Sequence, residues 1–215
     1  MNCTNTEQEC PGVWKDIPNG IPPRGFFYQQ APVKILVVGK NPGHPLGKNL
    51  GNPLNNEVEK YKGKTGEILF NAYRQHQKGF YNDLSVYPEH SSTFHKNLFR
   101  YMKYFLNLPE NTDINTLYQQ FAHTNLVKCS TKQEQGKLNK QTKEVCYQKY
   151  FRTELELLRP KVLLALGNEA AKFLLSKKNE HKLPVIRIKH PSYYYSKATE
   201  QTILMEIKQE IWIYL

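Results

Sequence analysis

Four short apolar runs punctuate an otherwise polar chain, and the segments between them carry apolar residues at helical spacing. Residues 33–39 (VKILVVG) read as a buried strand, rich in β-branched residues and closed by a glycine turn. Residues 123–128 (HTNLVK), 161–167 (KVLLALG) and 185–189 (VIRIK) give three more strands. Between them, 93–106 places Phe94, Leu98, Tyr101, Met102 and Phe105 on one helical face behind Thr93 as a cap. A short helix is expected over 114–121. Another stripe, Tyr147, Phe151, Leu155 and Leu158, ends at Pro160. Further helices are expected over 64–77, 168–176 and 198–213, the last burying Ile203, Ile207 and Ile211. Residues 1–32 are irregular, and 41–63 form a long loop rich in Gly, Pro and Asn.

Apolar strands alternating with amphipathic helices predict an α/β fold. It would be a three-layer sandwich in which helices cover both faces of a central four-stranded parallel sheet. Such sheets bind ligands outside the carboxyl ends of their strands. The segments that follow the strands should therefore converge: residues 39–43 (GKNPG), 128–132 (KCSTK), 167–171 (GNEAA) and 190–195 (HPSYYY).

With 215 residues, one domain with a substantial core is expected across 1–215. Hydrophobic residues make up 39% and charged residues 23%, which excludes an intrinsically disordered chain. Thirty Lys and Arg against 19 Asp and Glu leave a formal charge of +11, which favours a polyanionic partner. No apolar run approaches the ~18 residues of a membrane span, and the polar N-terminus resembles no targeting peptide. We expect a cytoplasmic monomer without a membrane partner. Cys3, Cys10, Cys129 and Cys146 would then be thiols or metal ligands rather than disulfides.

Taken singly, GKNPG is a turn and HPS a loop. Taken in order, VVGKNPG, TNLVKC (124–129), LRPKVLLALGNEAAKFLL (158–175) and HPS resemble the uracil-DNA glycosylase superfamily. The first motif is similar to the Gly-x-Asn-Pro-Gly form of the mismatch-specific and single-strand-selective branches. The later motifs, and GKTGEILFNAY (63–73), look like family 4, the iron–sulfur branch. The resemblance covers about residues 33–195. It marks 76–123 as a helical insertion relative to compact family-4 members.

The resemblance implies base-excision repair of DNA by hydrolysis of the N-glycosidic bond of a flipped base, with uracil as the base and no catalytic metal. That reaction builds an oxocarbenium-like sugar and an anionic base, so water must be held at the sugar and charge stabilised on the base. Asn41 matches the water-positioning residue. Its amide orients water but cannot act as a general base, and its alternative role is an Asx turn. His190 matches the histidine that donates to the departing carbonyl oxygen, in either its neutral or its charged form. Asn125 matches the amide that reads the base edge, with a strand-end backbone bond as the alternative. Tyr61 would stack on the base. Gly39, Lys40, Pro42 and Gly43 would line the substrate, the glycines by letting backbone approach it. Pro191 and Ser192 would shape the loop pressed into DNA. Tyr193, Tyr194 or Tyr195, beside Lys197, would fill the gap left by the base, at ~1–3 kcal/mol per stacked ring; the alternative is packing on the last helix.

Cys129 and Cys146 resemble the second cysteine pair of family 4, which implies a [4Fe–4S] cluster completed by Cys3 and Cys10. The family's first pair is C-x2-C, whereas Cys3 and Cys10 are more widely spaced; zinc, or four ordinary thiols, are the alternatives. Lys128, Lys132, Lys137, Lys140, Lys143 and Lys149 form either a phosphate-contacting surface or a solvated loop. Two other functions remain open: a catalytically silent binder of DNA or modified bases, and a glycosylase for another deaminated base.

Overall fold

A computed structural model describes residues 8–10, 32–41, 93–128, 138–192 and 196–215. The elements run in the order β1 (Ile35–Gly39), α1 (Thr93–Phe105), α2 (Ile114–Tyr118), β2 (Phe121–Asn125), α3 (Lys140–Cys146), a π-helical turn (Tyr147–Phe151) and α4 (Arg152–Leu158). There follow β3 (Val162–Leu166), α5 (Asn168–Ser176), α6 (Lys178–His181), β4 (Val185–Ile188) and α7 (Lys197–Trp212). The strands form one parallel sheet in the order β2-β1-β3-β4.

Strand periodicity sorts the core into two layers, because successive side chains point to opposite faces. Ile35, Val37, Phe121, Leu164 and Ile186 pack with Leu98, Met102 and Phe105 of α1 and Ile207 and Ile211 of α7. Leu36, Val38, Ala122, Leu163 and Ala165 pack the other way, on Tyr147, Phe151, Leu158 and Leu174. The three-layer sandwich expected from the hydrophobic pattern is the fold observed.

β1 has β2 on one side and β3 on the other. The connection through α1 and α2 and the connection through α3 and α4 therefore leave on opposite faces. In sheets of this kind the ligand crevice forms at such a switch point, outside the carboxyl ends of the strands.

Several boundaries differ from expectation. α2 ends at Tyr118, short of the expected 121, because Phe121 already belongs to β2. β2 begins at Phe121 and ends at Asn125, two to three residues earlier than the expected 123–128. Phe121 and Ala122 are both fully buried in the sheet, while Leu126 and Val127 leave the strand and donate to the carbonyls of Gly39 (2.8 Å) and Lys40 (3.0 Å). The helical stretch before β3 begins at Lys140 rather than near 147, started by Asn139, whose side chain accepts from the Gln141 N–H at 2.8 Å. The segment 76–123 contributes α1 and the first residues of β2, so its described part is built into the sheet and its covering layer. The expected helix over 64–77 lies outside the described residues, as does the loop beyond Asn41. Among the described residues, no helix is long and apolar enough to cross a membrane.

Candidate active site

The carboxyl ends of β1 and β2 meet in register, with Gly39 opposite Asn125 and Val37 opposite His123. Gly39, His123 and Asn125 thus lie on the face covered by α1. The Asn125 carboxamide lies across Gly39. A Cβ added there would stand 2.4 Å from Asn125 Oδ1 and 3.7 Å from His123 Nε2. Glycine is required at this place by the close approach of a side chain, not by its own backbone dihedrals.

Phe94, in the first turn of α1, links this corner to β4. Its ring centroid lies 5.3 Å from that of His123 and 5.2 Å from that of His190. His190 stands two residues beyond β4. The loop after it is tied to α1 by Asn97 Nδ2, which donates to the Pro191 carbonyl at 2.7 Å. Phe94 and Asn97, one helical turn apart, therefore fix the position of the imidazole.

The imidazole is also oriented. The Ser192 N–H donates to His190 Nδ1 at 3.3 Å, so in the neutral ring the proton resides on Nε2. Burial lowers the His190 pKa below its ordinary value, favouring that neutral ring. Its Nε2–H is a donor with a defined direction. Pro191 is buried and Ser192 exposed.

Asn41, half-buried, follows β1 at a bend two residues past Gly39. Lys40 extends toward α5, where its ammonium lies 3.6 Å from Glu169 Oε2. Glu169 also accepts from Lys143 at 3.2 Å and from the Leu138 N–H at 3.1 Å. Gly167 opens α5 at a φ of 84° and donates its N–H to the Ile188 carbonyl at 2.7 Å. The described parts of the four segments thus start at the carboxyl end of one parallel sheet; 42–43, 129–132 and 193–195 lie outside the described residues.

Lys128 corrects one expectation. It does not face phosphates: its side chain is 1% exposed, paired with Glu154 of α4 at 3%. The ammonium donates to Glu154 Oε2 at 2.6 Å, with Oε1 equally near but off the bonding direction. It also donates to Thr124 Oγ1 and to the Asn125 carbonyl, each at 2.7 Å. Burial pushes the Glu154 carboxyl up, and the adjacent ammonium opposes that shift. Of the other lysines of that series, Lys140 and Lys149 are exposed and Lys143 is committed to Glu169; Lys132 and Lys137 lie outside the described residues.

Cys10 and Cys146 are both buried in one small apolar cluster with Val127 and Leu138. Val127 is two residues from Cys129. Cys3, Cys129, Pro42, Gly43, Tyr61, Tyr193, Tyr194 and Tyr195 lie outside the described residues. The backbone of Lys197 opens α7.

Phe94, Asn97 and His123 pack around this corner and Glu154 lies beneath it, and none of them carried a signal in the sequence as a functional residue. Phe94 registered only as one member of an apolar helical stripe.

A family model, that of the uracil DNA glycosylase superfamily, matches residues 26–215. No curated protein matches the chain. The matched span contains the described sheet and its covering helices, and with them Gly39, Asn41, Asn125 and His190. Membership brings a DNA substrate and glycosidic-bond hydrolysis in base-excision repair. The chain belongs to the uracil-DNA glycosylase superfamily.

Proposed function

We propose that this protein removes uracil from DNA by hydrolysing the bond between the base and C1′ of its deoxyribose. The observation that carries the reading is the oriented imidazole. His190 presents Nε2–H from a half-buried ring that desolvation keeps neutral, at the carboxyl end of the sheet where the Asn125 carboxamide lies over Gly39. An amide supplies one donor and one acceptor, which suits the O4 and N3–H edge of uracil.

The chemistry follows from these groups. As the C1′–N1 bond breaks, its electron pair passes to the base and charge gathers on the carbonyl oxygen O2. His190 Nε2–H donates to that oxygen and keeps its proton. Preorganised donors aimed at developing charge in a water-poor site are the largest common source of catalysis. Asn41 holds a water toward C1′; the water oxygen bonds to the sugar carbon. Its released proton goes to solvent or to the departing base, since a carboxamide cannot take it. Catalysis here rests on positioning and leaving-group stabilisation.

Cys10 and Cys146, buried together beside the segment that leads to Cys129, supply soft ligands suited to an iron–sulfur cluster. With Cys129 and Cys3 they would make the four thiolates of a [4Fe–4S] group. Bound there, it would staple the N-terminal segment to the end of β2 and take no part in hydrolysis. Iron and sulfide analysis, with a visible absorbance bleached by dithionite, tests it; colourless protein without iron contradicts it.

Oligonucleotides carrying uracil, hypoxanthine or a thymine mismatch, incubated with the protein and then with alkali, test the main reading. Preferential cleavage of the uracil strand is expected. Preference for another base, or binding without cleavage, refutes it.

A further inference from the structure

The network under Asn125 lies outside the groups assigned to the hydrolysis. The Lys128 ammonium has three N–H donors, and Thr124 Oγ1, the Asn125 carbonyl and Glu154 Oε2 occupy them. The Thr124 hydroxyl in turn donates to Glu154 Oε2 at 2.9 Å. Phe151 covers the ammonium, with its ring centroid 5.7 Å away. Everything here lies on the α4 side of the sheet. The Asn125 carboxamide projects from the opposite face, over Gly39.

A buried ion pair is a poor stabiliser, because apolar groups of similar volume commonly do as well or better. What it supplies is direction. Lys128 holds the Thr124 hydroxyl and the Asn125 carbonyl, and Thr124 holds Glu154, so three fixed hydrogen bonds clamp the last two residues of β2, an edge strand, to α4.

We propose that Lys128 and Glu154 are positioning residues that set the direction of the Asn125 carboxamide, and through it the base selectivity of the enzyme. This rests on Asn125 being the amide that reads the base.

The test compares the wild type with the double variant Lys128→Met/Glu154→Met, which removes both charges together and so avoids stranding one. Two readouts are taken: single-turnover cleavage of uracil and thymine strands, and the side-chain amide resonances of Asn125. The variant should keep its thermal midpoint. Its rate on uracil should fall on the order of 10- to 100-fold, as expected for a reacting group displaced by roughly an ångström. Its preference for uracil over thymine should shrink, and the Asn125 amide resonances should move. A folded variant with rate and preference within about twofold of wild type overturns the proposal. Should the double variant not fold, Glu154→Gln, which keeps the volume, is read in the same way. A wild type that cleaves no uracil strand refutes the glycosylase reading instead. The Asn125 resonances then decide alone: unmoved in the variant, they overturn the clamp; moved, they support it.

Discussion

Replacing Gly39 by alanine perturbs the site without perturbing the fold. The new Cβ would stand 2.4 Å from Asn125 Oδ1, which must retreat by about 1 Å to reach the 3.4 Å of ordinary contact. The clashing atom is the end of a side chain, so rotation of the carboxamide relieves the overlap. His123 Nε2, at 3.7 Å, need not move. Gly39 is a strand residue, and alanine takes its backbone conformation freely. Such a replacement stabilises by ~0.4–1 kcal/mol through the unfolded chain. Fold and site should therefore part company. The thermal midpoint should hold or rise, while single-turnover cleavage of a uracil strand falls by about 100-fold, or ~2.7 kcal/mol of barrier. Circular dichroism melting and denaturing gels after alkali give the two numbers. Cleavage at the wild-type rate would refute the placement of Asn125 as the reading amide. Loss of the folded state would refute the packing at Gly39.

Further outcomes follow from the same geometry. Burial lowers the His190 pKa, so below about pH 6.5 the unfolded chain binds a proton that the folded chain resists. Stability from this group is complete above that pH and declines as pH falls toward the depressed folded value; a nuclear magnetic resonance titration placing His190 above 6.5 would contradict this. His190→Ala and Asn41→Ala should each lower the cleavage rate by about 100- to 1000-fold while the melting curve stays cooperative, and unfolding instead would make them structural. Asn97→Ala removes the tie to Pro191 and should lower the rate by roughly tenfold with substrate binding nearly unchanged. A rise in KM with kcat intact would mean that this loop serves binding alone.

Much of the scaffold was legible because burial on both faces leaves its mark. β1 and β3 are short, fully buried apolar runs, β4 alternates buried Ile186 and Ile188 with exposed Arg187, and α5 coincides with the expected 168–176. β2 was misplaced for a physical reason. Its strand carries His123, Thr124 and Asn125, polar side chains that face Gly39 or the buried Lys128–Glu154 pair, so the apolar signal fades toward the carboxyl end of the strand. The start of α3 was hidden because only Thr142 and Cys146 of that helix are buried. The π-helical turn at Tyr147–Phe151 has no local signature; it lets Tyr147 and Phe151 both stack into the core. Within the site, Gly39, Asn125 and His190 were visible as motif residues, though their mutual geometry was not. Phe94 and Asn97 act on a loop 94 or more residues away in the chain, a relation that no local pattern carries. Lys128 looked like one more lysine in a basic stretch, and only the fold shows that Glu154 lies across from it.

The central claim is that Asn41, Asn125 and His190 surround a single flipped base. A crystal structure with a duplex carrying 2′-fluoro-2′-deoxyuridine tests it most directly, since the fluorine disfavours the cationic sugar and slows cleavage. The account predicts the uracil ring extruded beyond β1, its O2 within hydrogen-bonding distance of His190 Nε2 and its edge on the Asn125 carboxamide. A base left stacked in the duplex, or bound away from that edge of the sheet, would contradict it.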